Sequence, residues 1–168
     1  MKHFFFSFLI LLLTTTVRAQ QWHAYVFIAE ECPVCNFMGK PLNEISKKYE
    51  SQVTFHLVFP LKNSNYKTVH LFKEKYSLQS FESLLDKDLA ITKKLGASVT
   101  PEVVITDEFG NVHYRGRINS AYYAPGKMKH GSIQHDLDVA LATLLNGKEI
   151  VQPWPPAIGC YITMYASN

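Results

Sequence analysis

The amino-acid sequence predicts an α/β protein with a central mixed β-sheet flanked by helices. A β-rich run, an amphipathic helix and a second β-rich run follow one another over residues 22–59, an order typical of parallel strands joined by a crossover helix. Later in the chain, two β-rich runs are separated by the turn residues Asp107–Asn111, which predicts an antiparallel hairpin. A well-marked helix follows over residues 132–147. The order of these elements indicates the α/β class.

The first three elements are indicated by hydrophobic periodicity. Trp22–Ala29 is rich in aromatic and β-branched residues, and Val53–Phe59 alternates apolar with other side chains, so both are predicted strands. Between them, Pro33–Tyr49 is a predicted helix. Its apolar positions recur with the 3.6-residue period, at Phe37, Met38, Leu42 and Ile45.

Three shorter elements are predicted after the second strand. Tyr66–Tyr76 has apolar residues on one helical face, Phe81–Leu85 is a short apolar run, and Asp88–Leu95 is a helix that ends at Gly96. The order is therefore helix, strand, helix.

The last elements are the hairpin and the final helix. The hairpin strands are expected at Val103–Ile105 and Val112–Ile118, on either side of the turn. Ser132 is predicted to cap the final helix, Asp136 suits its first turn, and Gly147 ends it.

The N-terminus has the pattern of a secretory signal peptide. Lys2 precedes the apolar run Phe4–Leu13, and Val17-Arg18-Ala19 places small residues where a signal peptidase cleaves. The apolar run has about 10 residues and a membrane span needs roughly 20, so no stable membrane anchor is expected. Residues 1–19 are therefore predicted to be removed and the mature chain to be exported, either to the periplasm or outside the cell.

Charge and length limit the partners of the mature chain. The formal net charge of +3 falls to +1 when Lys2 and Arg18 are removed with the leader, and no run of Lys or Arg remains. Neither nucleic acid nor an anionic membrane surface is therefore a predicted partner. The remaining length of about 150 residues suits one domain. We expect this domain at residues 20–150, followed by a Pro-rich tail at residues 151–168 that carries Cys160.

Two cysteines, Cys32 and Cys35, are spaced as in redox and metal sites. Cys32 is expected at the N-cap of the first helix, with Pro33 at the first helical position. Free backbone N–H groups and the helix dipole favour a thiolate there, so the pKa of Cys32 is expected below the roughly 8.5 of a free cysteine. Cys32 is the predicted nucleophile. Cys35, one turn further in, is placed to resolve a mixed disulfide formed on Cys32.

Two motifs together resemble the thioredoxin superfamily. These are Cys32-Pro33-Val34-Cys35 between a strand and a helix, and Thr100-Pro101 immediately before a strand. The resemblance implies the thioredoxin fold, with a cis proline that faces the cysteine pair. It also implies thiol–disulfide exchange with exported protein thiols through the Cys32–Cys35 pair. In this reaction Thr100 and Pro101 line a groove that binds an extended substrate segment. This reaction requires no cofactor.

Residues 72–118 are similar to the exported TlpA and peroxiredoxin-like branch of that superfamily. This similarity implies a helix-strand insertion before the third family helix. The motifs that carry it are Phe72-Lys73-Glu74-Lys75-Tyr76, Leu84-Leu85-Asp86, Leu95-Gly96, Thr100-Pro101-Glu102 and Asp107-Glu108-Phe109-Gly110-Asn111. A peroxidase is disfavoured, because the Pro and Thr that precede a single reactive cysteine in peroxiredoxins are missing around Cys32.

The sequence departs from the thioredoxin pattern at two positions near the cysteines. Glu31 stands where thioredoxins have Trp, and Val26 stands where they bury an acid. Glu30 or Glu31 could replace that acid in proton transfer, but a carboxylate beside Cys32 also opposes thiolate formation. The sequence does not rank these two effects. Pro41 either bends the first helix or ends it.

Cys160 is a possible third redox residue. The stretch Arg115–Ile118 and the tail segment Pro156–Cys160 are similar to a group of exported redoxin-domain proteins that share this ending. Our hypothesis is that the tail folds back and brings Cys160 near Cys32 and Cys35, as an exchange partner or a regulator. The alternative is a tail thiol without a role.

Two other classes of function remain open. Cys32, Cys35 and Cys160 with one histidine would suit zinc or copper, but no histidine has a ligand spacing from the pair, so no metal is predicted. The histidines considered are His23, His56, His70, His113, His130 and His135. A non-catalytic module would instead bind a partner through the face around Thr100-Pro101. Its aromatic surface would include Tyr122, Tyr123, Pro125, Trp154 and Tyr161.

Overall fold

The computed structural model describes residues 20–164, which form nine strands and four helices. In chain order they are β1 (Trp22–Phe27), α1 (Pro33–Tyr49), β2 (Val53–Phe59), α2 (Tyr66–Tyr76), β3 (Glu82–Leu85), α3 (Ala90–Leu95), β4 (Val99–Thr100), β5 (Glu102–Thr106), β6 (Val112–Gly116), β7 (Tyr122–Ala124), β8 (Lys127–Met128), α4 (Asp136–Leu145) and β9 (Cys160–Tyr161). The predicted signal peptide, residues 1–19, lies outside this range. Within it, no helix is long and apolar enough to cross a membrane.

The main sheet is mixed, as predicted. Its five strands lie in the order β3-β2-β1-β5-β6. Strands β1, β2 and β3 are parallel, whereas β5 is antiparallel to β1 and to β6. The predicted hairpin is formed by β5 and β6. The inserted helix and strand are also present, because α2 and β3 follow β2 and β3 becomes an edge of the sheet.

Alternating side chains of the central strands enter two separate cores. Val26 lies in the larger core, and its neighbour Phe27 lies in the smaller one on the opposite face. The larger core includes buried residues of α1, α2 and α4. The smaller core consists of Phe27, Val58, Leu89, Leu95, Ala97, Val104 and Ile162. Ile162 belongs to the tail, so the C-terminal segment contributes to the packed interior.

The structure shows whether Pro41 ends α1 and where α4 begins. Pro41 lies inside α1, which continues to Tyr49, so this proline does not end the helix. The predicted cap at Ser132 is wrong, because α4 begins at Asp136 with His135 at its N-cap. Residues before it are held by another segment: Ser120 N donates to Gln134 O at 2.9 Å, and Gln134 N donates to Ser120 Oγ at 2.7 Å. This pairing competes with helical hydrogen bonding at Gln134.

The turn between β5 and β6 is organised by the carboxylate of Asp107. Its Oδ1 accepts hydrogen bonds from the N–H groups of Phe109 at 3.0 Å and Asn111 at 2.8 Å. Its Oδ2 accepts one from Asn111 Nδ2 at 2.8 Å and lies 3.2 Å from His113 Nε2. Burial by itself would raise the pKa of this carboxyl, but the hydrogen bonds outweigh burial and lower the pKa to about 2.

This lowered pKa predicts an acid-sensitive contribution to stability. A carboxyl whose pKa is lower in the folded state stabilises that state above its ordinary pKa of 3.8, and this contribution is lost as the pH falls toward 2. Asp107→Asn is expected to lower the urea midpoint at pH 7, and the difference from the parent should vanish as the pH falls to 2. Urea unfolding from pH 7 to pH 2 measures this, with the exposed Glu44→Gln as the control. A difference that stays constant with pH would contradict the assignment.

Candidate active site

Cys32 occupies the N-terminus of the 17-residue helix α1. It is the N-cap residue, with extended backbone angles of φ −77° and ψ 120°, and Pro33 follows at the first helical position. No side-chain hydrogen bond caps the helix, so its first free N–H groups have no side-chain acceptor. The Cys32 side chain is nearly buried, with 3% of the residue exposed.

The Thr100-Pro101 segment lies directly against Cys32. The Thr100–Pro101 peptide bond is cis, as the resemblance implied, and Cys32 Sγ lies 3.3 Å from the carbonyl oxygen of Thr100. When the sulfur carries a proton, it can donate to this oxygen. The structure therefore brings together the first cysteine and the predicted substrate-binding residues.

The tail places Cys160 at the same point. Strand β9 pairs antiparallel with β4, so that Cys160 lies opposite Thr100 and Tyr161 opposite Val99. Cys32 and Cys160 form a disulfide across 128 residues of sequence. The tail therefore folds back onto the domain, as the hypothesis expects. The disulfide of this structure thus joins Cys32 to Cys160, and Cys35 remains a free thiol.

Cys35, one helical turn after Cys32, is fully buried in the larger core. Ala29 N donates a hydrogen bond to Cys35 Sγ at 3.4 Å. Burial raises the pKa of this thiol to about 12, and the negative charge of Glu30 adds to the rise, while hydrogen bonds with Ala29 and Thr100 oppose it. At neutral pH Cys35 is therefore protonated and a poor nucleophile in this conformation.

Two glycines allow the tail to approach the domain. A Cβ at Gly159 would overlap the carbonyl oxygen of Thr100, and a Cβ at Gly116 would overlap that of Pro155. The N–H of Arg117 donates to the Pro155 oxygen at 3.2 Å. The stretch Arg115–Ile118 thus contacts the tail at Pro155, directly before the segment Pro156–Cys160.

The two glutamates next to Cys32 point to other partners. Glu30 accepts hydrogen bonds from the hydroxyl groups of Ser64 and Thr68, each at 2.7 Å. Glu31 accepts one from Asn63 Nδ2 at 3.3 Å. Within residues 20–164, neither carboxylate is hydrogen-bonded to a cysteine. Val26, which stands where thioredoxins bury an acid, is fully buried in the larger core.

The residues considered for metal binding do not form a metal site in the described part of the chain. In the part of the chain that the structure describes, no group of three or more His, Cys, Asp or Glu side chains could hold a metal ion. His56 instead contacts His23 at 3.1 Å and Glu82 at 2.8 Å, and His113 contacts the carboxylate of Asp107.

The aromatic residues considered for a binding surface differ in burial. Tyr161 and Tyr123 are 82% and 62% exposed, respectively. Trp154 packs against the larger core, and Tyr122 makes an edge-to-face contact with Phe37 at 5.5 Å between ring centroids. Of these, Tyr161 lines a cavity of about 200 Å³ beside Cys32 and Cys160.

The fold agrees with a comparison at the level of families. A family model described as a thioredoxin-like domain matches residues 13–125, more than half of the chain. The chain belongs to this thioredoxin-like family. No curated protein sequence matches it.

Solved structures show that the thioredoxin-like fold extends beyond the region of the family match. A hypothetical protein from Sinorhizobium meliloti is 23% identical, with a TM-score of 0.74 over 87% of this chain and 81% of that protein. An uncharacterized conserved protein from Geobacillus kaustophilus is 21% identical, with a TM-score of 0.74 over 88% and 79% of the two chains. DsbF of Mycobacterium tuberculosis, solved in mixed oxidized and reduced forms, is 22% identical, with a TM-score of 0.55 over 74% and 81%.

The tail lies outside the matched thioredoxin-like region, and two of its residues were missed from the sequence. Gly159 and Ile162 flank Cys160 and fix how the tail strand sits on the domain. A glycine directly before a cysteine and an aliphatic residue two positions after it were the only local signals available. Neither signal connects the tail with Thr100, because the pairing between β4 and β9 is set by tertiary structure.

Proposed function

We propose that this thioredoxin-like protein exchanges disulfides with exported protein thiols, and that Cys32 is its nucleophile. The observation that carries the proposal is the disulfide between Cys32, at a helix N-terminus, and a cysteine on an extended strand beside Thr100-Pro101. A mixed disulfide with a substrate segment requires the same arrangement. The free N–H groups and dipole of α1 stabilise the Cys32 thiolate when this bond opens.

The exchange can be written with its electrons balanced. A substrate thiolate attacks Cys32 Sγ, the bond to Cys160 breaks, and its electron pair leaves on the Cys160 sulfur, which takes a proton from water. A second substrate thiolate then attacks the substrate sulfur of the mixed disulfide, and Cys32 leaves as a thiolate. The substrate dithiol loses two electrons, and the Cys32–Cys160 pair gains them. The reverse sequence reduces a substrate disulfide, and neither direction requires a cofactor.

Cys35 has the resolving role in this proposal. It follows Cys32 by one helical turn, and its thiolate attacks Cys32 Sγ in a mixed disulfide. A Cys32–Cys35 disulfide forms, the bond between Cys32 and the partner breaks, and the partner leaves as a thiolate. Because burial holds its pKa near 12, this step is slow at neutral pH. Slow attack by Cys35 allows the Cys32–Cys160 disulfide to persist, although Cys35 lies only one helical turn from Cys32.

Thr100 and Pro101 form the substrate-binding edge. The backbone of Thr100 pairs with Cys160, and the Thr100 hydroxyl donates to the Cys160 carbonyl oxygen at 3.4 Å. These backbone contacts are available to any extended segment, so they supply affinity without requiring a particular side chain.

The proposed function is tested by measuring whether the Cys32–Cys160 disulfide opens and reforms in equilibrium with glutathione. The mature chain is equilibrated with mixtures of reduced and oxidised glutathione, quenched in acid and analysed by peptide mass mapping. We expect a reversible two-electron transition in which the Cys32–Cys160 linkage disappears and returns. A chain whose disulfide neither opens in excess reduced glutathione nor reforms in excess oxidised glutathione would overturn the proposal. Protein alkylated at all three cysteines serves as the control.

We also propose that the protein is exported after removal of residues 1–19. Expression of the full chain in a bacterial host should yield a mature protein that begins at Gln20, located outside the cytoplasm. Intact mass and N-terminal sequencing of the cell fractions measure this result. Ala19→Leu, which places a large residue at the cleavage site, is expected to accumulate as precursor. An unprocessed parent chain in the cytoplasm would contradict export.

A further inference from the structure

We infer that the groove beside Thr100-Pro101 selects extended protein segments in which a glycine precedes the reactive cysteine and an aliphatic residue follows it two positions later. This inference rests on the proposed function and names its substrate class. The tail strand, residues 159–162, occupies this groove and shows what each position requires.

The backbone register of the tail strand defines where a substrate lies. Cys160 is opposite Thr100 and Tyr161 is opposite Val99, in antiparallel orientation. The N–H of Ile162 donates to the carbonyl oxygen of Ser98 at 3.0 Å, which continues the ladder. A substrate segment that delivers its cysteine to Cys32 in this register therefore has the same neighbours at each position as the tail strand.

The position before the cysteine has no room for a side chain. A Cβ at Gly159 would overlap the carbonyl oxygen of Thr100 and lie 3.1 Å from Pro101 Cδ. The carbonyl oxygen belongs to the backbone, next to the cysteine site, and cannot move aside as a flexible side chain could. Any larger residue must push the segment away from the groove.

The position two residues after the cysteine is the apolar anchor. Ile162 is only 6% exposed and belongs to the smaller core, with Phe27, Leu89 and Val104 among its members. Burial of an aliphatic side chain is favourable, whereas a polar side chain without a partner there is costly. Between the two selective positions, Tyr161 is 82% exposed, so that position discriminates little.

A substrate and the tail strand cannot occupy the groove together. A substrate thiolate that attacks Cys32 Sγ opens the Cys32–Cys160 bond, and the substrate segment fills the groove only after Ile162 has left the smaller core. The tail is therefore a competitor tethered to the same chain, and weakening its anchor should speed the reaction with substrate.

The test uses a peptide with the tail sequence, Pro-Ala-Ile-Gly-Cys-Tyr-Ile-Thr, whose cysteine forms a disulfide with 5-thio-2-nitrobenzoate. The protein is the full mature chain carrying Cys160→Ser. The Cys32 thiolate attacks the peptide sulfur, a new Cys32–peptide disulfide forms, and the coloured thiolate leaves with the electron pair. Its absorbance gives the second-order rate constant. The glutathione disulfide of the same chromophore measures exchange that does not depend on the groove.

We expect the parent peptide to react at least tenfold faster than its Ile162→Ser and Gly159→Val versions, and within twofold of its Tyr161→Ser version. In the protein, adding Ile162→Ser to Cys160→Ser should raise the rate with the parent peptide at least threefold, because the tail no longer fills the groove. Equal rates for all four peptides, with the glutathione disulfide still reactive, would overturn the substrate class and leave the proposed function standing. Failure of the glutathione disulfide as well would remove both.

Discussion

Replacement of Cys32 by serine is expected to abolish disulfide exchange, with a loss of at least about a thousandfold in rate. Cys32 is the N-cap residue of α1, whereas Cys35 is buried within that helix and Cys160 begins β9. The unpaired N–H groups and the dipole of a helix N-terminus favour a thiolate at Cys32. A serine hydroxyl at this position has neither the acidity nor the nucleophilicity needed to attack a disulfide. The rate of glutathione exchange, followed by mass spectrometry, measures the loss.

Cys160→Ser is the matched control for Cys32→Ser, because each substitution removes the same disulfide. That disulfide links residues 128 apart in sequence, and loss of a cross-link that closes a loop of this size costs about 5 kcal/mol of unfolding free energy in the chain-entropy model. Both variants should therefore lose similar stability in urea. Neither variant can close the Cys32–Cys160 couple, but only Cys160→Ser keeps the Cys32 thiol, so only this variant should form a mixed disulfide at Cys32 with oxidised glutathione. Absence of this mixed disulfide in the Cys160→Ser protein would contradict the assignment of Cys32 as the nucleophile.

The second large effect is the pH dependence of resolution by Cys35. In the Cys160→Ser protein, glutathione bound to Cys32 can be displaced by the Cys35 thiolate. Because burial raises the pKa of Cys35 to about 12, its thiolate fraction increases tenfold for each pH unit across the neutral range. The rate of glutathione release is therefore expected to rise about a hundredfold from pH 7 to pH 9. Stopped samples analysed by intact mass give this rate.

The double variant Cys35→Ser, Cys160→Ser is the control for that measurement. It should retain glutathione on Cys32 over the same pH range, apart from slow release by hydroxide or added thiol. A release rate that levels off below pH 9 in the Cys160→Ser protein would mean that Cys35 ionises far more easily than its buried position implies. The resolving step would then not limit turnover.

Local sequence patterns predicted most helices and strands, because side-chain periodicity and helix capping depend on neighbouring residues. The helix Pro33–Tyr49 has the boundaries expected from its apolar period and from Pro33, and the strand Val53–Phe59 likewise matches its alternation. Ser132 failed as a cap because a local capping signal competes with hydrogen bonds from Ser120, which is distant in sequence. The branch of the superfamily to which the chain belongs stays a prediction.

Some features of the candidate site were also predictable from neighbouring residues, whereas others depend on tertiary structure. Cys32 at the N-cap and Thr100-Pro101 before a strand were recognised from neighbouring residues, and the resemblance implied that the two meet. The position of Cys160 could only be a hypothesis, since a tail thiol without a role fitted the sequence equally well. The raised pKa of Cys35 was also beyond reach, because it depends on burial by segments from across the chain.

The sequence by itself determined the order of helices and strands, the α/β class and the placement of Cys32 at the start of a helix, because helix capping and hydrophobic period act over a few residues. Only the tertiary structure decided which cysteine bonds to Cys32. The pairing of β9 with β4, the insertion of Ile162 into the smaller core and the close approach at Gly159 together hold Cys160 beside Cys32. These contacts join residues about 60 to 130 apart in sequence, where no local preference operates.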